Sequence, residues 1–152
     1  MKKKITVDII IPFYEHLHSL KKLLKSINKL NLKNVDLKIF IIIDGSKINK
    51  KDLKTKTIHR LNFIQNKNNM GQTFSRNIGV KRSHGQFIWF IDADAEFIKK
   101  NTIQNAINSL QKDIIGLSGT VEVINKKRIF LIPNVFLNGF ALYKKIELKK
   151  NI

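Results

Sequence analysis

Cysteine is absent, proline occurs twice, and carboxylates are scarce in this 152-residue chain. Without cysteine there is no disulfide framework and no thiolate zinc site, and a reducing compartment is the natural setting. Long apolar runs are missing as well. The longest are residues 87–91 and the run that ends at Ile43, far short of the roughly 20 residues a helix needs to cross a bilayer. The first residues, Met1 to Lys4, resemble the basic start of a secretory signal. Asp8 and Pro12 interrupt the apolar stretch behind them, and no small-residue cleavage site follows. The expected location is therefore cytoplasmic. The 11 acids face 29 lysines and arginines, a formal net charge of +18. Such an excess points to nucleic acid, an anionic membrane surface or a phosphorylated substrate. It also arises without a partner in a chain this rich in Lys, Ile and Asn, and that is the favoured origin for most of it. Arginine is confined to Arg60, Arg76, Arg82 and Arg128, whereas nucleic-acid readers lean on arginine. Nucleic acid is the least expected partner.

What is present alternates. Ile5 to Ile11 is β-branched and apolar, and Pro12 is expected to end it, since proline does not continue a central strand. Leu17, Leu20, Leu23, Leu24, Ile27 and Leu30 recur at helical spacing, with lysines between them. Residues 37–43 form a second buried strand, closed by the turn Asp44-Gly45-Ser46, in which glycine takes positive φ. Residues 47–57 read as weakly helical, 61–65 as a short strand, 66–71 as a loop and 72–83 as a helix closed by His84-Gly85 in the manner of a C-cap. Ile103, Ile107 and Leu110 mark a further helix that Asn101-Thr102 can cap. Strand-like residues 114–124, a hairpin partner at 128–132, a short strand at 138–143 and a basic tail follow. Strands alternating with helices predict an α/β fold with a mostly parallel central sheet flanked by helices, as a single domain over residues 1–152.

The chain is organised around residues 86–97. Five bulky apolar residues, Phe87 to Ile91, run into Asp92-Ala93-Asp94. The run reads as a strand buried on both faces, and open α/β sheets keep their ligands past the carboxyl ends of such strands. In an extended segment the two acids share a face, with Cα atoms roughly 6.6 Å apart. They repel unless a cation lies beside them. A hard divalent ion, Mg²⁺ or Mn²⁺, suits such a pair, because it keeps positions open for water and for a diphosphate. The plain alternative is a solvated acidic turn. The four histidines are scattered, without metal-ligand spacing.

Four segments in order carry a resemblance: Asp8-Ile9-Ile10-Ile11-Pro12-Phe13-Tyr14-Glu15, then Ile41-Ile42-Ile43-Asp44-Gly45-Ser46, then Asn69-Met70-Gly71 with Ser75-Arg76-Asn77-Ile78-Gly79, then Trp89-Phe90-Ile91-Asp92-Ala93-Asp94. Together they resemble the inverting family 2 glycosyltransferases of the Rossmann-like GT-A fold over roughly the first hundred residues. The resemblance implies a metal-dependent transfer of a sugar from a nucleotide-diphosphate sugar, with UDP expected, to a polysaccharide or lipid-linked acceptor. It implies that Pro12, Phe13, Tyr14 and Glu15 line the nucleoside pocket. The rings of Phe13 and Tyr14 would pack the base or ribose, and for Phe13 simple core packing is an equal alternative. Asp44 would accept a hydrogen bond from the base or ribose, and Asn69 to Gly71 would close over the base. Arg76 would offer its fork to the diphosphate, or else form a surface ion pair. Asp92 would touch the ribose or hold the ion through water, Asp94 would bind the ion directly, and Ala93 would let the diphosphate approach.

Two departures qualify that pattern. Ile43 stands where the family often has a second acid before Gly-Ser. The late acidic motif that supplies the catalytic base does not follow residues 138–143, where only Glu122 and Glu147 stand after Asp113, and neither is assigned as base. The expectation is a short or C-terminally truncated member, with a silent nucleotide-sugar-binding module as the alternative. Such a chain would expose an apolar edge that a second copy or a partner subunit covers. A lipid-linked acceptor would bring the lysine excess to the inner face of the membrane, as a peripheral contact.

Overall fold

The computed structural model describes residues 4–48, 51–53 and 57–109, together with the backbone of residues 116–118, 124–125, 128–129 and 140–144. The described elements run β1 (Ile5–Phe13), α1 (Leu17–Ile27), β2 (Val35–Asp44), β3 (Arg60–Asn66), α2 (Gln72–Arg82), β4 (Phe87–Ile91), α3 (Thr102–Ser109), β5 (Gly116–Ser118), β6 (Ile124–Asn125), β7 (Arg128–Ile129) and β8 (Phe140–Lys144). Six strands form one sheet in the order β3-β2-β1-β4-β8-β5. β3, β2, β1 and β4 are parallel. β8 runs antiparallel to both β4 and β5. β6 and β7 pair as the expected hairpin, Ile124 opposite Ile129. The chain steps outward from β1 to β2 and β3, then returns to β4 on the other side of β1. The carboxyl ends of β1 and β4 therefore flank the point where strand order reverses, which is where an open α/β sheet forms its crevice.

The period-two alternation of side chains splits the core between the two faces. Val7, Ile9, Ile11 and Phe13 of β1 join Leu20, Leu23, Leu24 and Ile27 of α1 and Ile103 and Ile107 of α3. Ile10, Phe40, Ile42 and Ile88 form the smaller layer on the other face, with Val80 of α2 against it. α1 has no acid in its first turn and no side-chain cap at His16, so its formation rests on docking. Each fully buried leucine or isoleucine contributes about 1.5–3 kcal/mol of transfer free energy. α2 buries only Ser75 and Gly79. A Cβ at Gly79 would lie 2.4 Å from Ile10 Cγ2, so the glycine sets how closely this polar helix approaches the sheet. Among the described residues, no helix is long and apolar enough to cross a membrane.

Three expectations need correction. β1 continues through Pro12 to Phe13, paired with Ile42 and Ile43 of β2. Its pairing with β4 has already ended at Ile10, so at Pro12 the strand is an edge, where proline is tolerated. Residues 51–53 form a turn, and no helix is seen among the described part of 47–57. α2 ends at Arg82 with Ser83 in an extended conformation, not with a glycine cap.

Gly85 serves Asp8 instead. Asp8, 1% exposed in the middle of β1, accepts hydrogen bonds on Oδ2 from the backbone N–H groups of His84 and Gly85, each at 2.7 Å. A Cβ at Gly85 would lie 2.9 Å from Asp8 Cγ. Oδ1 of Asp8 is buried without a partner among the described residues. Asp8→Ala orphans one buried and one part-buried donor and is expected to cost about 2–4 kcal/mol of unfolding free energy. Asp8→Asn keeps one oxygen for both amides and places its NH₂ where the unpartnered oxygen was, so it should cost under about 1 kcal/mol. Urea unfolding of the two variants checks the contrast.

Candidate functional site

β2 delivers Asp44 to the carboxyl edge of the sheet on the α2 side, where it is 4% exposed. Its Oδ1 accepts from Asn66 Nδ2 at 2.7 Å and from the Met70 N–H at 3.0 Å, and its Oδ2 accepts from the Gly71 N–H at 2.8 Å. Asn66, the last residue of β3, also donates to Ser75 Oγ of α2 at 3.2 Å. One carboxylate thus ties the ends of β2 and β3 to the loop that starts α2. Two glycines make the approach feasible. Gly45 has φ +74°, and a Cβ there would lie 2.2 Å from the Asn69 nitrogen. Gly71 has φ +86° at the N-cap of α2, and its N–H also reaches Asn69 Oδ1 at 3.0 Å. Asp44, expected to accept a hydrogen bond from a base or ribose, has both oxygens engaged by its own chain as well, with Oδ2 carrying a single bond. It positions the 69–71 loop.

At the end of β4, Asp92 Oδ1 accepts from Arg76 Nη2 at 2.7 Å and from Gln72 Nε2 at 2.5 Å. Gln72 and Arg76 stand one helical turn apart on α2, so both reach the same carboxylate. The Arg76 guanidinium carbon lies 6.0 Å from the Phe90 ring centroid. Its buried Nε has no partner among the described residues, which leaves the cation incompletely satisfied. Burial pushes the Asp92 carboxyl above the usual range. The hydrogen bond and charge of Arg76 pull it back, Asp94 adds to the rise, and Gln72 lowers it slightly.

Beyond Ile91 the backbone turns, closed by the Ala95 N–H donating to the Asp92 carbonyl at 3.1 Å. The acids therefore flank a turn, not the extended segment expected. Asp94 is exposed and its carboxylate makes no hydrogen bond or ion pair among the described residues. Ala93 is half-buried against the core on the α1 side. Phe13 is 1% exposed within that core, so the core-packing alternative holds for its ring. Tyr14, 44% exposed, and Glu15 follow in the bend after β1. Glu122 and Glu147 lie outside the described residues.

No three His, Cys, Asp or Glu side chains converge among the described residues. The donor set at the end of β4 is two carboxylates, Asp94 and the free oxygen of Asp92. A hard divalent ion that shares its shell with water and a diphosphate takes one or two protein carboxylates, so these residues fit an ion completed by its ligand.

Sequence reasoning missed Asn66, Ser75 and Gln72. The spacing of Gln72 and Arg76 was the available signal for Gln72. Nothing local marked Asn66, whose partner is 22 residues away.

The sequence model of Glycosyl transferase family 2 matches residues 8–151. A cholesterol galactosyltransferase from Borreliella burgdorferi is 27% identical over 151 residues, covering 94% of this chain and 42% of that protein. Among solved structures, a mannosyltransferase from Pyrobaculum calidifontis in complex with GDP-Man and Mn²⁺ superposes with TM-score 0.72 at 17% identity, covering 91% of this chain and 44% of that one. TarS from Staphylococcus aureus in complex with UDP-GlcNAc gives TM-score 0.58 at 24% identity, covering 68% of this chain and 30% of that one. The chain spans less than half the length of these relatives. The two structural likenesses establish the α/β fold of GT-A glycosyltransferases.

Proposed function

Since the chain belongs to glycosyl transferase family 2, its sequence model matching residues 8–151, we propose that it binds a nucleotide-diphosphate sugar at the carboxyl ends of β1, β2 and β4 and serves in inverting transfer of the sugar. The observation that carries this reading is the convergence of Arg76, Asp92 and Asp94 on one side of the strand-order reversal. UDP-GlcNAc in TarS and GDP-Man with Mn²⁺ in the Pyrobaculum calidifontis structure support a nucleotide-sugar donor and a divalent ion. A uridine diphosphate sugar is the favoured donor, and a saccharide or lipid-linked hydroxyl the favoured acceptor.

The residues divide the work. Asp94 and the free oxygen of Asp92 would hold Mg²⁺ or Mn²⁺, which supplies Lewis-acid stabilisation of the departing diphosphate. Arg76 would turn part of its planar fork to a diphosphate oxygen while Gln72 keeps Asp92 in place. The 69–71 loop, pinned by Asp44, and the exposed Tyr14 would border the nucleoside. Negative charge developing on the leaving group then meets positive partners already fixed in place. Such preorganised electrostatic stabilisation is usually the main source of enzymatic rate acceleration.

Calorimetric titration with UDP in the presence of Mn²⁺ tests the reading. Chelating the metal, or Asp94→Ala, should weaken binding at least about tenfold, or 1.4 kcal/mol. Equal UDP affinity with and without metal in both proteins overturns it. A donor-hydrolysis assay on the same samples separates a transferase from a module that only binds its nucleotide sugar.

A further inference from the structure

Away from that site, on the α1 side of the sheet, Lys22 and Lys25 of α1 are followed by Lys29 in the turn after the helix. Lys100 faces them across a hollow of about 370 Å³. Glu96 is the one acid in its lining. Among the described residues none of these four lysines is in an ion pair. The arrangement is built, not incidental. Ser26 Oγ of α1 accepts from the Phe97 N–H at 3.0 Å, and the Asn31 N–H donates to the Lys100 carbonyl at 2.8 Å. These bonds fasten the segment after Asp94 alongside α1 and hold the cations around one concavity despite their mutual repulsion. Ile98, 61% exposed, also lines the hollow. A large aliphatic side chain held in water among ammonium groups has no folded-state gain of its own.

We propose that this face docks onto an anionic lipid bilayer. Headgroup phosphates would pair with the four ammonium groups, and Ile98 would enter the interfacial layer, the combination by which a basic surface with an apolar anchor binds membranes. Nucleic acid and free phosphate satisfy the lysines but make no use of Ile98. The segment from Asp94 to Lys100 leads from the donor site onto this face. The proposal does not depend on the donor reading, because it concerns different residues and a different ligand.

The test is co-sedimentation of the full chain with vesicles of phosphatidylcholine alone or doped with phosphatidylglycerol, with circular dichroism confirming that each variant is folded. Binding is expected to the doped vesicles only. Lys22→Glu/Lys25→Glu/Lys29→Glu should weaken it at least about a hundredfold, since each lysine near such a surface is worth roughly fivefold. Lys67→Glu/Lys81→Glu/Arg82→Glu changes the net charge equally on other parts of the surface and should cost less than about tenfold. Ile98→Ser should weaken vesicle binding about tenfold and leave binding to a DNA duplex unchanged. Equal losses from the two charge reversals, no effect of Ile98→Ser on vesicles, or equal binding to neutral vesicles would each overturn the proposal. UDP titration of the same variants is expected to be unaltered, so a failure here leaves the donor site untouched.

Discussion

Asp44→Ala is expected to lower the unfolding free energy by about 3–5 kcal/mol, from three donors left without their acceptor at about 1–3 kcal/mol each, less what solvent recovers at the loop. This is a large share of the about 5–15 kcal/mol that holds a typical domain together. The donors are Asn66 Nδ2 and the N–H groups of Met70 and Gly71, and they join two strand ends to the start of α2. Asp44→Asn should not rescue the loss. An amide offers one oxygen and one NH₂, and whichever way it turns, the NH₂ meets a donor. Urea unfolding should therefore show a lowered midpoint in both variants with an unchanged slope. UDP affinity should fall as well, because the 69–71 loop loses its anchor. Full stability in Asp44→Asn would show that the carboxylate is not the acceptor at the centre of this cluster.

Arg76→Met is expected to weaken metal-dependent UDP binding by about 2–3 kcal/mol, roughly thirty- to a hundred-and-fortyfold, the worth of a hydrogen bond to a charged group. It should also change the pH dependence. Burial already holds the Asp92 carboxyl above its usual range, and Arg76 is the main influence drawing it down. Without that guanidinium the carboxyl rises further, so the acid limb of UDP binding moves to higher pH. Gln72→Leu should move it the same way by less, and Arg76→Lys should restore part of the shift through charge alone. Stability follows the same proton. Between the unfolded and the higher folded value the native protein binds more protons than the unfolded chain, so unfolding free energy falls as pH rises through that window. Arg76→Met extends the window upward. An acid limb in the same place for wild type and Arg76→Met would separate Asp92 from nucleotide binding.

Apart from the weak helix expected over 47–57, the order and type of the elements were legible because they rest on local patterns. The leucine spacing placed α1, the runs ending at Ile43 and Ile91 placed β2 and β4, and Gly45 was readable as a positive-φ residue from its Asp-Gly-Ser context. The errors share a physical origin in long-range partners. Pro12 stays in β1 because β4 has already left that side. Gly85 is small because Asp8, 77 residues earlier, presses against it. The second duty of Asp44 was equally hidden, because its strand-end position spoke only for a ligand. Only the fold shows that Asn66, Met70 and Gly71 also donate to its oxygens. An ion pair of Arg76 was foreseeable, but its partner Asp92 was not, and neither was the turn that separates the two acids.

The register between β4 and β8 has a consequence for how the protein is made. Ile91 pairs with Phe140, and Phe87 with Lys144, so the partner of the carboxylate-bearing strand emerges from the ribosome about fifty residues later. At bacterial to eukaryotic elongation speeds that delay is on the order of 3–10 s. Throughout it, the flank of Phe87-Ile88-Trp89-Phe90-Ile91 opposite β1 is an unsatisfied, strongly apolar template. Nascent chains paused in this interval are the population on which chaperone capture or co-translational aggregation would act.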